Sequence, residues 1–262
     1  MNDHLSQLIS LTAYANDYLI NDSLNKDFNK NKCLLSTRYI YFAESNKIVL
    51  TNNPIEWFKL LKSEKCKRLK LIFKYSETHL TKPDHLSAGI VGGGGQWLIE
   101  SVYDDHSRYW SSHWLSRFPY ARDKRLFEIY YRRQFKKNQI SNDYFEVEAI
   151  KKQLGATLWE ISEFTIKQGI EKWTDFFNKA LDNLYGSEPC NEYYYFDLIP
   201  KNSYTLSEQQ LIYSAGKAFN YGVQGSWNDI GFKDKLSTER YLKISAQLYD
   251  DIIKSILAVI NK

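Results

Sequence analysis

The pattern of hydrophobic and polar positions changes its period once along the chain, near residue 142. Before that point, short segments alternate apolar and polar residues, which is the two-residue period of pleated strands. After it, apolar residues recur every three to four positions, as on the buried face of a helix. Strands followed by helices, rather than alternating units, predict an α+β protein with an antiparallel sheet in its N-terminal half.

Residues 1–142 are predicted to contain this sheet, preceded by one helix that is capped by Asn2 or Asp3 and ends near Asn21. A second, short helix is predicted at Asn53-Pro54-Ile55-Glu56, because asparagine caps helices and proline fits the first helical position. Strands are predicted at residues 34–43, 47–51, 67–75 and 123–136. The polar, aromatic residues 106–122 are predicted to form a long loop.

The segment from His85 to Asp105 is predicted to be two strands folded back across four consecutive glycines, residues 92–95. Glycines adopt positive φ without a Cβ clash, so such a run suits a tight turn or a close approach of another backbone or a ligand. A phosphate-binding loop is disfavoured, because no Lys-Ser/Thr pair and no helix follow the glycines. We take Gly93, Gly94 and Trp97 as candidate binding residues.

Residues 143–262 are predicted to form four helices that pack on one face of the sheet, with both halves making one cooperative body. A capping box at Thr205 begins the third helix, and Ser237 or Thr238 caps the fourth.

The third and fourth predicted helices are joined by a glycine-bounded loop that carries Trp227, Asn228 and Asp229. These residues are candidates for binding a ligand or a partner group. In the structural alternative, Trp227 fills a gap between the halves and Asp229 caps a turn. Whether this loop meets the glycine hairpin stays open at this stage.

The chain is rich in aromatic residues, which make up 16% of it as 20 Tyr, 14 Phe and 7 Trp. Its net charge is a modest +4. Tyrosine and tryptophan combine an apolar body with a polar tip, so a soluble protein can expose them, and this favours a recognition surface. The alternative is a general bias of the source toward Asn, Lys, Ile and Tyr. Cys33, Cys66 and Cys190 show no paired spacing and are interpreted as free structural thiols in a reducing compartment.

Acidic and imidazole side chains crowd together at Asp104-Asp105-His106, with His113 following seven residues later. Because no metal-ligand spacing supports this cluster, no metal or cofactor is predicted. Glu100 is a candidate lone buried carboxylate. The chain lacks a nucleophile-elbow motif, which favours a function other than catalysis.

Two basic stretches, residues 65–74 and 122–137, form a candidate nucleic-acid surface if their strands are neighbours. Arg132, Arg133 and Lys136 would contact phosphates, beside Tyr130 or Tyr131 as a stacking platform. The alternative is a solvated sheet face whose charges discourage aggregation.

These observations lead to the hypothesis of a cytoplasmic recognition protein of bacterial type, for example an immunity or regulatory protein, that binds a protein partner through aromatic-rich loops. A membrane association is not expected, since no apolar run approaches the ~18 residues of a bilayer span. Two alternatives stay open. One is nucleic-acid binding through the basic strands, and the other is an enzyme or small-molecule binder whose pocket is lined by Trp97, Glu100, Trp227 and Asp229.

Overall fold

The computed structural model of the chain describes residues 1–77, 79, 83–88, 94–136, 145–189, 197–222 and 225–262. The described strands are β1 (Thr37–Glu44), β2 (Val49–Thr51), β3 (Arg68–Lys74), β4 (Gln96–Val102), β5 (Ser107–Ser116) and β6 (Phe127–Lys136). The described α-helices are α1 (Asp3–Asn21), α2 (Pro54–Ser63), α3 (Val147–Lys167), α4 (Glu171–Tyr185), α5 (Leu206–Ala218) and α6 (Lys235–Ile260). Strands precede most helices, so the predicted α+β class is confirmed.

The strands form one sheet in the order β2-β1-β6-β5-β4-β3. Every neighbouring pair is antiparallel except β1 and β6, which run parallel. The sheet is therefore mixed, and the prediction of a purely antiparallel sheet was wrong at this pair. A parallel pair requires a long connection, and the chain supplies one because all the other strands lie between β1 and β6 in sequence.

The segment predicted as a long aromatic loop is instead largely β5, which pairs with β4 on one side and β6 on the other. Trp110 is fully buried there, and Tyr109 is nearly so, whereas His113 is exposed. Serines and histidine gave this segment the composition of a loop, but packing against two neighbouring strands outweighs weak strand propensity. A turn after β5 leads into β6, which begins at Phe127 rather than at Asp123.

The strand predicted before the glycines was also wrong where the structure describes it, because Asp84–Leu86 is a turn of 3₁₀ helix. The strand after the glycines is β4, which pairs with β3. Gly94 and Gly95 have φ of +75° and +81°, as the glycine run predicted. A Cβ on Gly94 would lie 2.3 Å from the Ala88 Cα, so a second backbone does approach closely here.

The four C-terminal helices are confirmed, including the reciprocal capping box between Thr205 and Glu208. The last helix begins earlier than predicted, since the Asp234 side chain accepts a hydrogen bond from the Ser237 N–H and acts as the cap. Ser237 thus lies inside the first turn. None of the described helices combines the length and the apolar content that crossing a bilayer requires.

Helix α1 is buried around almost its whole circumference, rather than on the single face that its apolar spacing predicted. It contacts β3 and β4 of the sheet, and also α2 and α6. The buried apolar residues of the sheet, such as Phe42, Ile129 and Leu71, belong to the same core as the helices. Alternate strand positions, including Tyr39 and His113, point to the opposite side of the sheet, which we call the outer face.

The β3 edge of the sheet is closed by two asparagine side chains that take the place of a further strand. The Asn16 amide accepts from the Leu69 N–H at 2.6 Å and donates to the Leu69 carbonyl at 2.9 Å. The Asn261 amide does the same at Leu71, at 2.7 and 2.8 Å. Backbone groups that an edge strand leaves open are thereby satisfied.

Replacing Asn16 by alanine is expected to lower the free energy of unfolding by about 2–3 kcal/mol, because a partly buried N–H and carbonyl of Leu69 would lose their partners. Urea denaturation measures this change. The control Asn202→Ala removes an exposed amide from the turn before α5 and should change stability by less than about 0.5 kcal/mol. Equal effects of the two substitutions would contradict the role of Asn16 at the sheet edge.

Candidate functional site

Trp227 is buried, at 1% exposure, among aromatic side chains of the helical half. Its ring packs edge-on against Trp173 and Phe177, with centroids 5.2 and 4.9 Å away. Its indole N–H donates to the Ser245 hydroxyl at 2.7 Å, and its carbonyl accepts from Tyr241. Trp227 therefore fills a gap within the helical half, rather than between the two halves as the structural alternative had it, and its assignment to a binding site stays a prediction.

Asp229 and Asn228 organise the same loop. The Asp229 carboxylate accepts from the N–H groups of Gly225 and Ser226, which fixes the turn that precedes it. The Asn228 amide donates to the His85 carbonyl at 2.6 Å. The loop of Trp227 therefore does meet the segment that leads into the glycine run.

Trp97 is also buried, at 8% exposure, and its ring lies 4.9 Å from that of Phe73. Gly94 donates its N–H to the Ser87 hydroxyl at 3.1 Å, and its carbonyl accepts from Tyr249. Gly93 lies outside the described residues. Gly94 therefore uses both its N–H and its carbonyl internally, and the assignment of Trp97 and Gly94 to a binding site stays a prediction.

The four residues of the alternative pocket are not brought together. Glu100 is fully buried on the outer face of β4, where it accepts from the Tyr109 hydroxyl at 3.1 Å. Trp97 lies an odd number of positions away on the same strand and so points to the other face. Trp227 and Asp229 belong to the helical half.

The remaining chemical candidates are also separated. Asp105 contacts the His106 ring at 2.6 Å in the β4–β5 turn, whereas His113 lies far along β5 opposite Tyr130. The described residues contain no group of three metal-ligating side chains. Burial raises the pKa of the Cys33 and Cys66 thiols to about 12, which suppresses thiolate formation. Cys190 lies outside the described residues.

The basic strands β3 and β6 are not neighbours, since β5 and β4 lie between them, so the premise of the nucleic-acid surface was wrong. Arg133 is buried, and its guanidinium contacts both Glu64 oxygens at 2.7 and 2.8 Å and also binds Glu44. It is therefore not available to a phosphate. Arg132 points to the outer face beside the Tyr130 ring, and of Lys136 only the backbone, paired with Ser107, is described.

A row of aromatic side chains does lie on the outer face, across β1, β6 and the turn before β6. Tyr41 and Tyr130 stack with centroids 4.8 Å apart and an interplanar angle of 21°. Tyr39 continues the row at 6.3 Å from Tyr41, and Phe118 meets Tyr39 edge-on at 5.9 Å. We call these four residues the tyrosine ladder. Tyr39 is 48% exposed, and the other three are partly exposed.

Polar and charged groups of both signs surround the ladder. The Tyr130 hydroxyl donates to Glu128 at 2.7 Å, and this bond raises the pKa of the phenol. The Arg38 guanidinium lies 4.7 Å from the centre of the Phe118 ring, within range of a cation–π contact. The Arg132 guanidinium lies 5.8 Å from the centre of the Tyr130 ring.

A groove of about 380 Å³ opens beside Tyr39, at the N-terminal part of β1. Its floor is the strand itself, Thr37 to Ile40. Its walls come from the residues before β1, from the β2–α2 turn and from the β5–β6 turn, and they comprise Asn29, Asn31, Leu34, Leu35, Asn52, Asn53, Pro54, Asp123 and Arg125. The groove and the tyrosine ladder share Tyr39 and together form the candidate binding surface.

Comparison with protein-family models, curated proteins and solved structures finds no match to this chain. The candidate surface is therefore defined by the chain's own residues alone.

The sequence pattern predicted an aromatic recognition surface in loops, and Tyr39 and Tyr41 were not among the predicted binding residues. The signal was present, because the two tyrosines are two positions apart in a strand-like segment and so share a face. What the sequence did not contain was the parallel pairing that sets Tyr41 beside Tyr130.

His85, where the two loops meet, is 2% exposed, and its Nε2 has no hydrogen-bond partner among the described residues. Burial lowers its pKa from 6.5 to about 4, and the neighbouring His79 adds to this effect. Between these values the unfolded chain binds a proton that the folded chain does not. The free energy of unfolding therefore falls as the pH drops from 6.5 to 4.

In His85→Phe, the free energy of unfolding is expected to fall by about 2–3 kcal/mol less between pH 6.5 and pH 4 than in the wild type, because phenylalanine has no proton to take up. The substituted ring would lie beside Tyr221 and Tyr249. Urea denaturation at pH 7, 5.5 and 4 measures the pH dependence. The exposed His113→Gln serves as the control and should keep the wild-type profile. An unchanged profile in His85→Phe would show that other groups cause the acid sensitivity.

Proposed function

We propose that this chain is a recognition protein that binds another protein through the tyrosine ladder and the surface around it. The observation that carries the proposal is the continuous row of Tyr39, Tyr41, Tyr130 and Phe118, partly exposed on the outer face of the sheet. Tyrosine, phenylalanine and arginine are enriched at the centres of protein interfaces. The aromatic surface is formed by strands and one turn rather than by long loops.

The sheet also preorganises these aromatic side chains for binding, because it fixes their positions in the free protein. A rigid tyrosine has few rotatable bonds, so little conformational entropy is lost on binding. Burial raises the pKa of Tyr41, and the bond to Glu128 raises that of Tyr130. Both hydroxyls thus stay protonated at neutral pH. The Tyr41 hydroxyl can donate to a polar group of the partner, whereas the Tyr130 hydroxyl, which already donates to Glu128, can accept from one.

Single-stranded nucleic acid is the second candidate, because arginines flank aromatic rings on a sheet surface. Two features favour a protein instead. The faces of Tyr41 and Tyr130 are turned toward each other, which leaves less ring surface for a base. The nearby charges are mixed, since Arg38 pairs with Asp123 and Glu128 lies beside Tyr130, whereas a phosphate chain favours a uniformly positive groove.

The double substitution Tyr41→Ser, Tyr130→Ser is expected to weaken partner binding at least about tenfold, because it removes the centre of the ladder. The tagged wild-type protein is first isolated from cells of its source, and native mass spectrometry weighs any companion. Calorimetric titration with the identified companion then compares the wild type and the variant.

The matched control is Trp159→Ser, which removes a 59% exposed aromatic from α3 and should leave partner affinity unchanged. The proposal fails if the ladder variant keeps its affinity for the companion. A labelled oligothymidine provides a separate arm. If the wild type binds this probe in a salt-dependent way and Arg132→Glu does not, the proposed ligand would be a nucleic acid rather than a protein.

A further inference from the structure

The two edges of the sheet are treated differently. At the β3 edge, Asn16 and Asn261 satisfy the backbone of Leu69 and Leu71. At the other edge, β2 pairs with β1 only at Phe42 and Ala43. Thr37–Tyr41 extends beyond this pairing, and no described strand lies on that side of it.

The short pairing has a local cause. Asn53 caps α2 and Pro54 begins it, so the chain leaves the sheet immediately after β2. The side-chain oxygen of Asn53 accepts hydrogen bonds from the N–H groups of Ile55 and Glu56, and these bonds hold the turn in place. Among the described residues, the stretch Thr37–Tyr41 is thus left without a strand on this side over about 15 Å, at the ~3.3 Å rise of a strand.

The groove described above lies along this open stretch. Because the walls of the groove come from three separate segments of the chain, we expect it to admit a single extended chain rather than the edge of another folded sheet. Such a chain would add a strand to β1 and place alternate side chains toward Tyr39 on the outer face.

The charged lining of the groove consists of Arg38, Arg125 and Asp123, which gives an excess of one positive charge. Arg38 and Arg125 share the single carboxylate of Asp123, each at 3.0 Å. An acidic side chain on the incoming strand would balance this excess charge.

We propose that the open edge of β1 binds an extended, acidic segment of the protein partner by strand addition, beside the tyrosine ladder. This inference rests on the proposed function and states the form in which the partner is recognised.

The test uses a fluorescein-labelled heptapeptide of alternating threonine and valine with a central glutamate, blocked at both ends. Fluorescence anisotropy is expected to show saturable binding, at least tenfold tighter than that of the same peptide with a central lysine. Two further peptides are N-methylated at alternate residues in the two possible registers. One of them should lose binding, because strand addition requires the N–H groups on one side of the peptide.

Three protein variants locate the binding. Leu35→Trp fills the groove from an exposed position and should abolish binding of the peptide. Arg125→Gln keeps the pair of Arg38 and Asp123 and should reduce the preference for glutamate over lysine to less than threefold. Trp159→Ser, which changes an exposed ring on α3, is the control and should leave peptide affinity within about twofold.

Several outcomes would overturn strand addition: no saturable binding up to ~1 mM peptide, equal binding of both N-methylated peptides, or unchanged binding in Leu35→Trp. In each case, partner binding that is still weakened by the ladder variant would leave the proposed function standing. Conversely, the peptide could bind while the ladder variant keeps its wild-type affinity for the partner. That result would support strand addition at β1 and reject the role of the ladder in partner binding.

Discussion

The burial of α1 between the sheet and the helical half is the constraint on which the other elements depend. A helix buried around almost its whole circumference brings polar residues into the core, where each needs a hydrogen-bond partner. Ser10 and Thr12 use backbone carbonyls of their own helix. Gln7 reaches outward instead, because its amide accepts from the Tyr131 hydroxyl at 2.7 Å and donates to the Thr37 hydroxyl at 3.0 Å. The helix thereby links β1 to β6 through a single side chain.

This link sets the geometry of the candidate surface from the opposite side of the sheet. Tyr131 and Phe42 stack in the core with centroids 5.2 Å apart, while their chain neighbours Tyr130 and Tyr41 stack on the outer face. Because strand side chains alternate between faces, fixing the buried pair fixes the exposed one. The position of the ladder therefore follows from the packing of the core.

Charged groups complete the connection at the far end of the same strands. Arg133 on β6 joins Glu44, the last residue of β1, to Glu64 at the end of α2, and Arg108 on β5 adds a contact to Glu64 at 3.2 Å. The hydrogen bond and charge of Arg133 lower the pKa of Glu44. Arg133 was predicted to contact phosphate, but it instead holds β6, β1 and the end of α2 together. Buried arginines commonly form such ion pairs within the protein.

The sequence alone determined the elements whose signals are local. Caps and three-to-four periodicity predicted α1 and the C-terminal helices, the Asn-Pro start predicted α2, and the glycines predicted positive φ, because each depends on neighbouring residues only. The tertiary structure decided which segments pair. It made a strand of the serine-rich β5, set β1 parallel to β6, buried Trp97 and Trp227, and left part of one edge of β1 without a strand partner among the described residues. These outcomes depend on residues far apart in sequence, and no local pattern encodes the partner that a strand or an aromatic ring will meet.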